Sequence, residues 1–177
     1  MQVSSTFALW ALIPALPLCV YIFWVDMKYK KISNLSVWAL FAIFVVVGLT
    51  TLPIMEFAWR FANYGVVFAV LLLMWMARQV GAGDVKMAAV VALFVDKNDA
   101  SYMLIITFAS IVVAVLATLI VRATPLRKLA PDWAAWKLKA SENNINVGKG
   151  DQITIPMGTG IGLALCTYLL LGVLHGQ

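Results

Sequence analysis

Gly81-Ala82-Gly83-Asp84-Val85-Lys86-Met87-Ala88-Ala89-Val90-Val91-Ala92-Leu93-Phe94-Val95-Asp96 is the stretch on which the arrangement of the whole chain turns. Its first six residues are a short polar interruption in a sequence that is otherwise almost all lipid-soluble. An aspartate between apolar segments is costly to hold near hydrocarbon, which marks Asp84 as a functional candidate. The nine apolar residues that follow, Met87 to Val95, are too few for an ordinary membrane span. Whether they cross decides the side on which every later segment lies.

Composition sets the frame for that decision. Of 177 residues, 63% are hydrophobic and only 12% charged, far from the balance of a soluble domain. The expectation is a single all-α integral membrane domain over residues 1–177. A net charge of +5 would suggest nucleic acid in a soluble protein. Here the basic residues stand in short loops between apolar runs, the pattern of loops that face anionic lipid, so the lipid bilayer is the expected partner and nucleic acid is not. Cys19 and Cys166 each lie inside an apolar run, where thiols behave as small hydrophobes rather than as a structural disulfide.

Working outward, the first apolar run, Phe7 to Val25, has no basic residue before it and Lys28, Lys30 and Lys31 directly after it. A cleaved signal peptide has the opposite order, so this run reads as a retained span entering from outside. Leu35 to Thr51 and Phe61 to Ala77 are uncharged and just long enough to cross, and Ser101 to Val121 and Ile153 to Leu174 are longer. If Met87 to Val95 also crosses, eleven of the 13 basic residues fall on the cytoplasmic side and only Arg60 and Lys97 outside. If it does not, the split becomes six against seven and the positive-inside bias disappears. The expectation is therefore six transmembrane helices with both termini outside. The fourth starts near Asp84, runs past Val95 toward Asp99, is shorter than its neighbours, and is shielded by them or by locally thinned lipid. The large loop, 122–152, is then cytoplasmic. Within it Asp132 can cap a short helix that lays Trp133, Trp136 and Leu138 into the headgroup zone, or the segment is a solvated loop. Asp96, Lys97, Asn98 and Asp99 read as a solvated outer turn.

This topology places two carboxylates at one depth. Asp26 closes the first helix and Asp84 opens the fourth. Two neighbouring carboxylates do not both ionise easily, so one keeps a proton while the other is charged, and such a pair can activate water and polarise a peptide carbonyl without metal or cofactor. Gly81 and Gly83 permit a sharp turn before the helix and close approach of an extended peptide to Asp84. A helix N-terminus favours the anionic form of Asp84, which would leave Asp26 as the protonated partner. Taken singly, Asp26 reads equally as an interfacial residue flanking a span, and Asp84 as a helix cap. No phosphate-binding loop, dinucleotide fingerprint, His-Glu-x-x-His or paired-cysteine metal motif is present, and the single His175 is at the far terminus.

At these residues the sequence resembles a family, the prepilin peptidases, membrane aspartic proteases with a Gly-x-Gly-Asp motif. Gly81 through Lys86 is similar to their second catalytic motif, and Asp26 through Asn34 to their first. Ile155-Pro156-Met157-Gly158 is similar to a Pro-aromatic-Gly signature at the start of their last helix. Ser33 stands where proline is usual and Met157 where an aromatic is common. The resemblance implies Asp26 and Asp84 as catalytic residues, with Gly81, Gly83, Lys86, Asn34, Pro156 and Gly158 shaping the site. It also implies no metal or cofactor, and a prepilin or pseudopilin substrate whose leader is cut at the cytoplasmic face of the bacterial inner membrane. The paired-cysteine region of the long, methylating members is missing, so the chain is similar to the short members that serve tight-adherence, Flp-type pili and only cleave. Rival readings are a proton- or ion-coupled transporter, a noncatalytic pilus or secretion scaffold, and a metal-dependent hydrolase. Transporters place such acids at the bilayer midplane between repeats, whereas here they fall at helix ends and no repeat is visible.

Overall fold

The computed structural model describes residues 1–29, 31–124 and 157–176. Among them are six α-helices and no strand: α1 (Ser5–Tyr29), α2 (Asn34–Thr51), α3 (Ile54–Met76), α4 (Ala82–Ala92), α5 (Ala100–Ala123) and α6 (Met157–His175). A single 3₁₀ turn, Lys97–Asp99, joins α4 to α5. Five of the helices, all but α4, are long and apolar enough to cross a membrane, as a multi-pass membrane protein requires. Pro156 and the expected 122–152 loop beyond its first residues lie outside the described residues.

The centre of the bundle is the pair α1 and α6. Lipid is as apolar as leucine, so helices in a membrane are held together by close van der Waals contact, and small residues permit the closest contact. α1 buries Ala8, Ala11, Ala15 and Cys19, three or four residues apart on one face, followed by Ile22 and Asp26 on the same face. α6 meets it with glycines: a β-carbon at Gly172 would stand 2.7 Å from Val3 Cγ1 and 3.0 Å from Ala8 Cβ. One at Gly160 would stand 3.0 Å from the Ile111 Cα, so α5 presses on α6 equally closely. The thiols of Cys19 and Cys166 face each other across the α1–α6 seam and are not bonded as a disulfide. On the other flank Phe44 of α2 stacks on Phe57 of α3 at 5.4 Å and meets Phe61 and Phe94 edge-on.

Hydrogen bonds fix which parts of the sequence share an end of the bundle. At one end Asp99 accepts from the backbone N–H groups of Gln2 and Val3. At the other, Asp26 meets the start of α6. The chain thus passes from the Asp26 end to the Gln2 end between Asp84 and Asp99, in fifteen residues where α1 uses twenty-three from Val3 to Asp26. α4 buries Val85, Met87, Ala89, Val90, Val91 and Ala92, which agrees with a short helix shielded by its neighbours.

Three expectations are corrected here. α3 begins at Ile54, seven residues before Phe61, because Arg60 is not a flanking charge: it is 1% exposed. Its guanidinium donates to Glu56 Oε1 and to the Phe94 carbonyl, both at 2.7 Å, stands 3.5 Å from Asp96 Oδ2, and lies over the Phe7 ring. α4 ends at Ala92 rather than running toward Asp99, and the chain continues in tight turns through Val95. Finally, Asp96 and Asp99 are not a solvated turn; they are 6% and 1% exposed.

Candidate active site

Asp26 lies on the face of α1 that carries Cys19 and Ile22, and is therefore turned inward toward the beginning of α6. The first-turn N–H groups of a helix have no intrahelical acceptor. Asp26 supplies one: its Oδ2 accepts from the Thr159 backbone N–H at 3.0 Å and from the Thr159 hydroxyl at 3.2 Å, and the Gly158 N–H also faces it. A carboxylate so placed is held by both the local donors and the positive end of α6.

Asp84 is built in by a different device. Gly81 is the N-cap of α4 and Asp84 is three residues on, the position from which an acidic side chain reaches back to the cap N–H. The Asp84 carboxylate does fold back over Gly81, where a β-carbon would stand only 2.8 Å from its Oδ2. The two carboxylates are near enough for the charge of Asp26 to act on Asp84, and like charges at such range oppose joint ionisation. Since each stands at a helix N-terminus, the dipole argument that separated an anionic Asp84 from a protonated Asp26 no longer distinguishes them.

Ile32 is the wedge of the site. A β-carbon at Gly83 would lie 3.3 Å from Ile32 Cβ, and one at Gly158 would lie 2.6 Å from Ile32 Cδ1 and 3.0 Å from Asp26 Oδ2. The close approach of Ile32 and of Asp84's own carboxylate is thus a reason for glycine at these positions within the chain itself. The next residue, Ser33, caps α2 by accepting from the Ser36 N–H at 3.3 Å, so the usual proline is replaced by a side-chain cap. Lys86 donates to Asn34 Oδ1 at 3.2 Å on the exposed rim, joining the two motifs. The loop from α3 into Gly81 closes with Arg78 at φ 58°, its N–H bonded to the Trp75 carbonyl and that of Gln79 to the Met74 carbonyl. This is the paired closure that usually takes glycine at its left-handed position.

The structure thus brings together Asp26, Asp84, Gly81, Gly83 and Gly158, with Lys86 and Asn34 beside them, while Pro156 is outside the described residues. Thr159 and Ile32 were not singled out from the sequence. Thr159 carried a signal, a hydroxyl residue at the start of a helix just after Gly158; Ile32 stood inside the first motif but offered only an apolar side chain. Among the described residues no group of three or more His, Cys, Asp or Glu is arranged to hold a metal ion. A cavity of about 400 Å³ opens at the opposite end of the bundle, beside Glu56, Arg60, Asn63 and Asp96.

A buried Asp26 and a half-buried Asp84 that meet at two helix starts form an acid–base pair suited to activating a water molecule. No curated protein and no solved structure matches the chain. A family model, described as the type IV leader peptidase family, matches residues 13–119, more than half of the chain and a range that includes both Asp26 and Asp84. With that match on the same two motifs that carry the resemblance to prepilin peptidases, the chain belongs to the type IV leader peptidase family.

Proposed function

We propose that this protease is an aspartic endopeptidase that removes the leader of prepilin-like proteins at the cytoplasmic face of the bacterial inner membrane. The observation that carries the reading is the meeting of Asp26 and Asp84 at the starts of α6 and α4, inside the region matched to the family. In the mechanism, the charged member of the pair takes a proton from water, and that water attacks the scissile carbonyl. The protonated member donates to the carbonyl oxygen, and the proton taken from water passes to the leaving amine. Thr159 holds Asp26 in place through both its donors.

The same reading includes six membrane crossings in one domain, with α4 the short one, both termini outside, and the site and the 122–152 loop in the cytoplasm. Its supports are the eleven-to-two split of basic residues and the passage from Asp84 to Asp99 between opposite ends of the bundle. Cleavage without N-methylation, in the manner of the short peptidases of Flp-type pili, is also part of it. The supporting feature is that both cysteines of these 177 residues lie in apolar runs, with no paired-cysteine region.

The decisive experiment is co-expression with a candidate prepilin, scored by a leader-sized mobility shift and a new N-terminus. Asp26→Asn and Asp84→Asn should each abolish cleavage as completely as the double substitution, because groups acting as a unit are strongly non-additive. Both variants should insert at the parent's abundance, and EDTA should leave the parent's cleavage unchanged. Near-normal cleavage by either single variant would discard the mechanism. A methylated product N-terminus, with this enzyme alone supplied, would remove the cleavage-only assignment. Labelling of a cysteine near Trp136 from outside the cell would overturn the topology.

A further inference from the structure

The end of the bundle away from the carboxylates holds a second polar construction that the mechanism does not use. The last carbonyls of a helix lack intrahelical partners. At the end of α4 those just beyond the last turn are met from α3: Arg60 donates to the Phe94 carbonyl at 2.7 Å, and Asn63 Nδ2 to the Val95 carbonyl at 3.1 Å. The next residue, Asp96, donates its N–H to the Tyr168 hydroxyl of α6 at 3.1 Å. That hydroxyl in turn donates to Asp99 Oδ2 at 3.1 Å, and Asp99 accepts the N–H groups that lead into α1. Tyr168, Asp99 and Arg60 are each 1% exposed or less.

The elements tied together here are α3, the end of α4, α6 and the entry to α1, and they include the three helices that supply Asp26, Asp84 and Thr159 at the other end. α4 is short, packs against α3, α6 and α2, and is the element that carries Asp84. We propose that the Tyr168–Asp99 cluster sets the depth and rotation of α4 and so fixes where Asp84 stands relative to Asp26, with Tyr168 as the positioning residue. This inference rests on the aspartic-pair reading for its catalytic consequence, though not for its structural one. Removing a buried hydroxyl that accepts from one backbone and donates to a carboxylate takes away both bonds, so the Asp96 N–H loses its Tyr168 acceptor and the end of α4 is held less firmly.

The test measures the position of Asp84's helix and the rate separately. Spin labels on Tyr29→Cys and Lys86→Cys, both exposed positions on α1 and α4, are placed in a Cys19→Ala, Cys166→Ala background. Introducing Tyr168→Phe should shift the label separation by about 1 Å or more and broaden it. Displacements of that size cost about a hundredfold when they reach reacting groups, so cleavage per folded enzyme in the unlabelled Tyr168→Phe variant should fall at least tenfold. As the carboxylates separate, their coupling weakens and the pH–rate profile should narrow. Asp99→Asn, which keeps the shape and removes the charge, should move the same readouts in the same direction. Lys97→Gln, on the exposed side of the 3₁₀ turn, should move none. A merely structural role lowers the amount of folded enzyme and leaves separation and profile unchanged; that result in Tyr168→Phe overturns the proposal. Should the parent chain cleave no prepilin, the peptidase reading falls, and the spin-label separation alone still decides whether the cluster positions α4.

Discussion

Gly158→Ala is the substitution whose effect can be worked most fully from the geometry. The added methyl would stand 2.6 Å from Ile32 Cδ1, 3.0 Å from Ile32 Cγ1 and 3.0 Å from Asp26 Oδ2. Carbon contacts are comfortable at roughly 3.5–4.0 Å, so all three neighbours must yield. The end of Ile32 can turn aside at a cost of about 1 kcal/mol. Asp26 has less freedom: moving Oδ2 by a few tenths of an ångström lengthens its 3.0 and 3.2 Å bonds from Thr159. A lost hydrogen bond to a charged group is worth ~1.5–3 kcal/mol, which as transition-state stabilisation is about ten- to a hundredfold in rate. Overpacking costs ~1–3 kcal/mol of stability, offset by up to ~1 kcal/mol from replacing glycine in a helix, leaving a net loss of about 1 kcal/mol. Adding Ile32→Ala separates the two effects, because it removes the isoleucine clash and leaves the one with Asp26. The double variant should be more stable than the sum of the singles by about 1 kcal/mol, while cleavage stays at least tenfold down. The assays are thermal unfolding in detergent and initial cleavage rates of a prepilin at matched enzyme. Parental rates in Gly158→Ala, or full rescue of the rate by Ile32→Ala, would refute the reasoning.

Thr159→Val keeps the shape of the side chain and removes the hydroxyl that donates to Asp26 at 3.2 Å; cleavage should fall about five- to tenfold and be restored by Thr159→Ser. Equal losses in Val and Ser variants would show that the hydroxyl is not the cause. Arg60→Ala leaves Asp96 buried without its cation and the Phe94 carbonyl without its donor, so thermal unfolding should report a loss of ~3–5 kcal/mol; less than about 1 kcal/mol would mean that the cluster relaxes into water. Arg78→Gly relieves a left-handed residue that costs ~1–2 kcal/mol, against ~0.5–1 kcal/mol of added chain entropy in the unfolded state. The variant should unfold at the same or a slightly higher temperature, and a marked loss would show that the Arg78 side chain holds the loop.

The membrane character, five of the helix positions and the two aspartates were legible because each has a one-dimensional signature: a long apolar run, or a charge where hydrocarbon should be. What was not legible depends on contacts between distant residues. Arg60 looked like the edge of a span because a lone cation in an apolar run ends it by the rules of hydropathy, and only the fold brings Glu56, Asp96 and the Phe94 carbonyl to it. Asp96 and Asp99 looked solvated for the same reason: Arg60 reaches Asp96 only through the fold, and the partners of Asp99 are two backbone N–H groups and a tyrosine, each 69 residues or more away in sequence. Gly83 was legible as a position needing no side chain, and Gly158 only through the Pro-aromatic-Gly resemblance. Ile32, which fills the space they leave, was not, because an isoleucine in a hydrophobic sequence carries no contrast.

Among the residues of α3, Arg60 alone is buried. Its other inward positions are half-covered, and nothing lies within 4 Å of where a β-carbon at Gly65 would be. In water a helix so loosely covered would be held by the cost of wetting its apolar face. In a bilayer that cost vanishes, because acyl chains replace side-chain neighbours almost without penalty. The helix is thus held by polar contacts at Arg60 and Asn63, near the end away from the carboxylates, and the rest of it runs beside α4 toward Asp84. Along that stretch a lipid tail and an apolar side chain are nearly interchangeable neighbours.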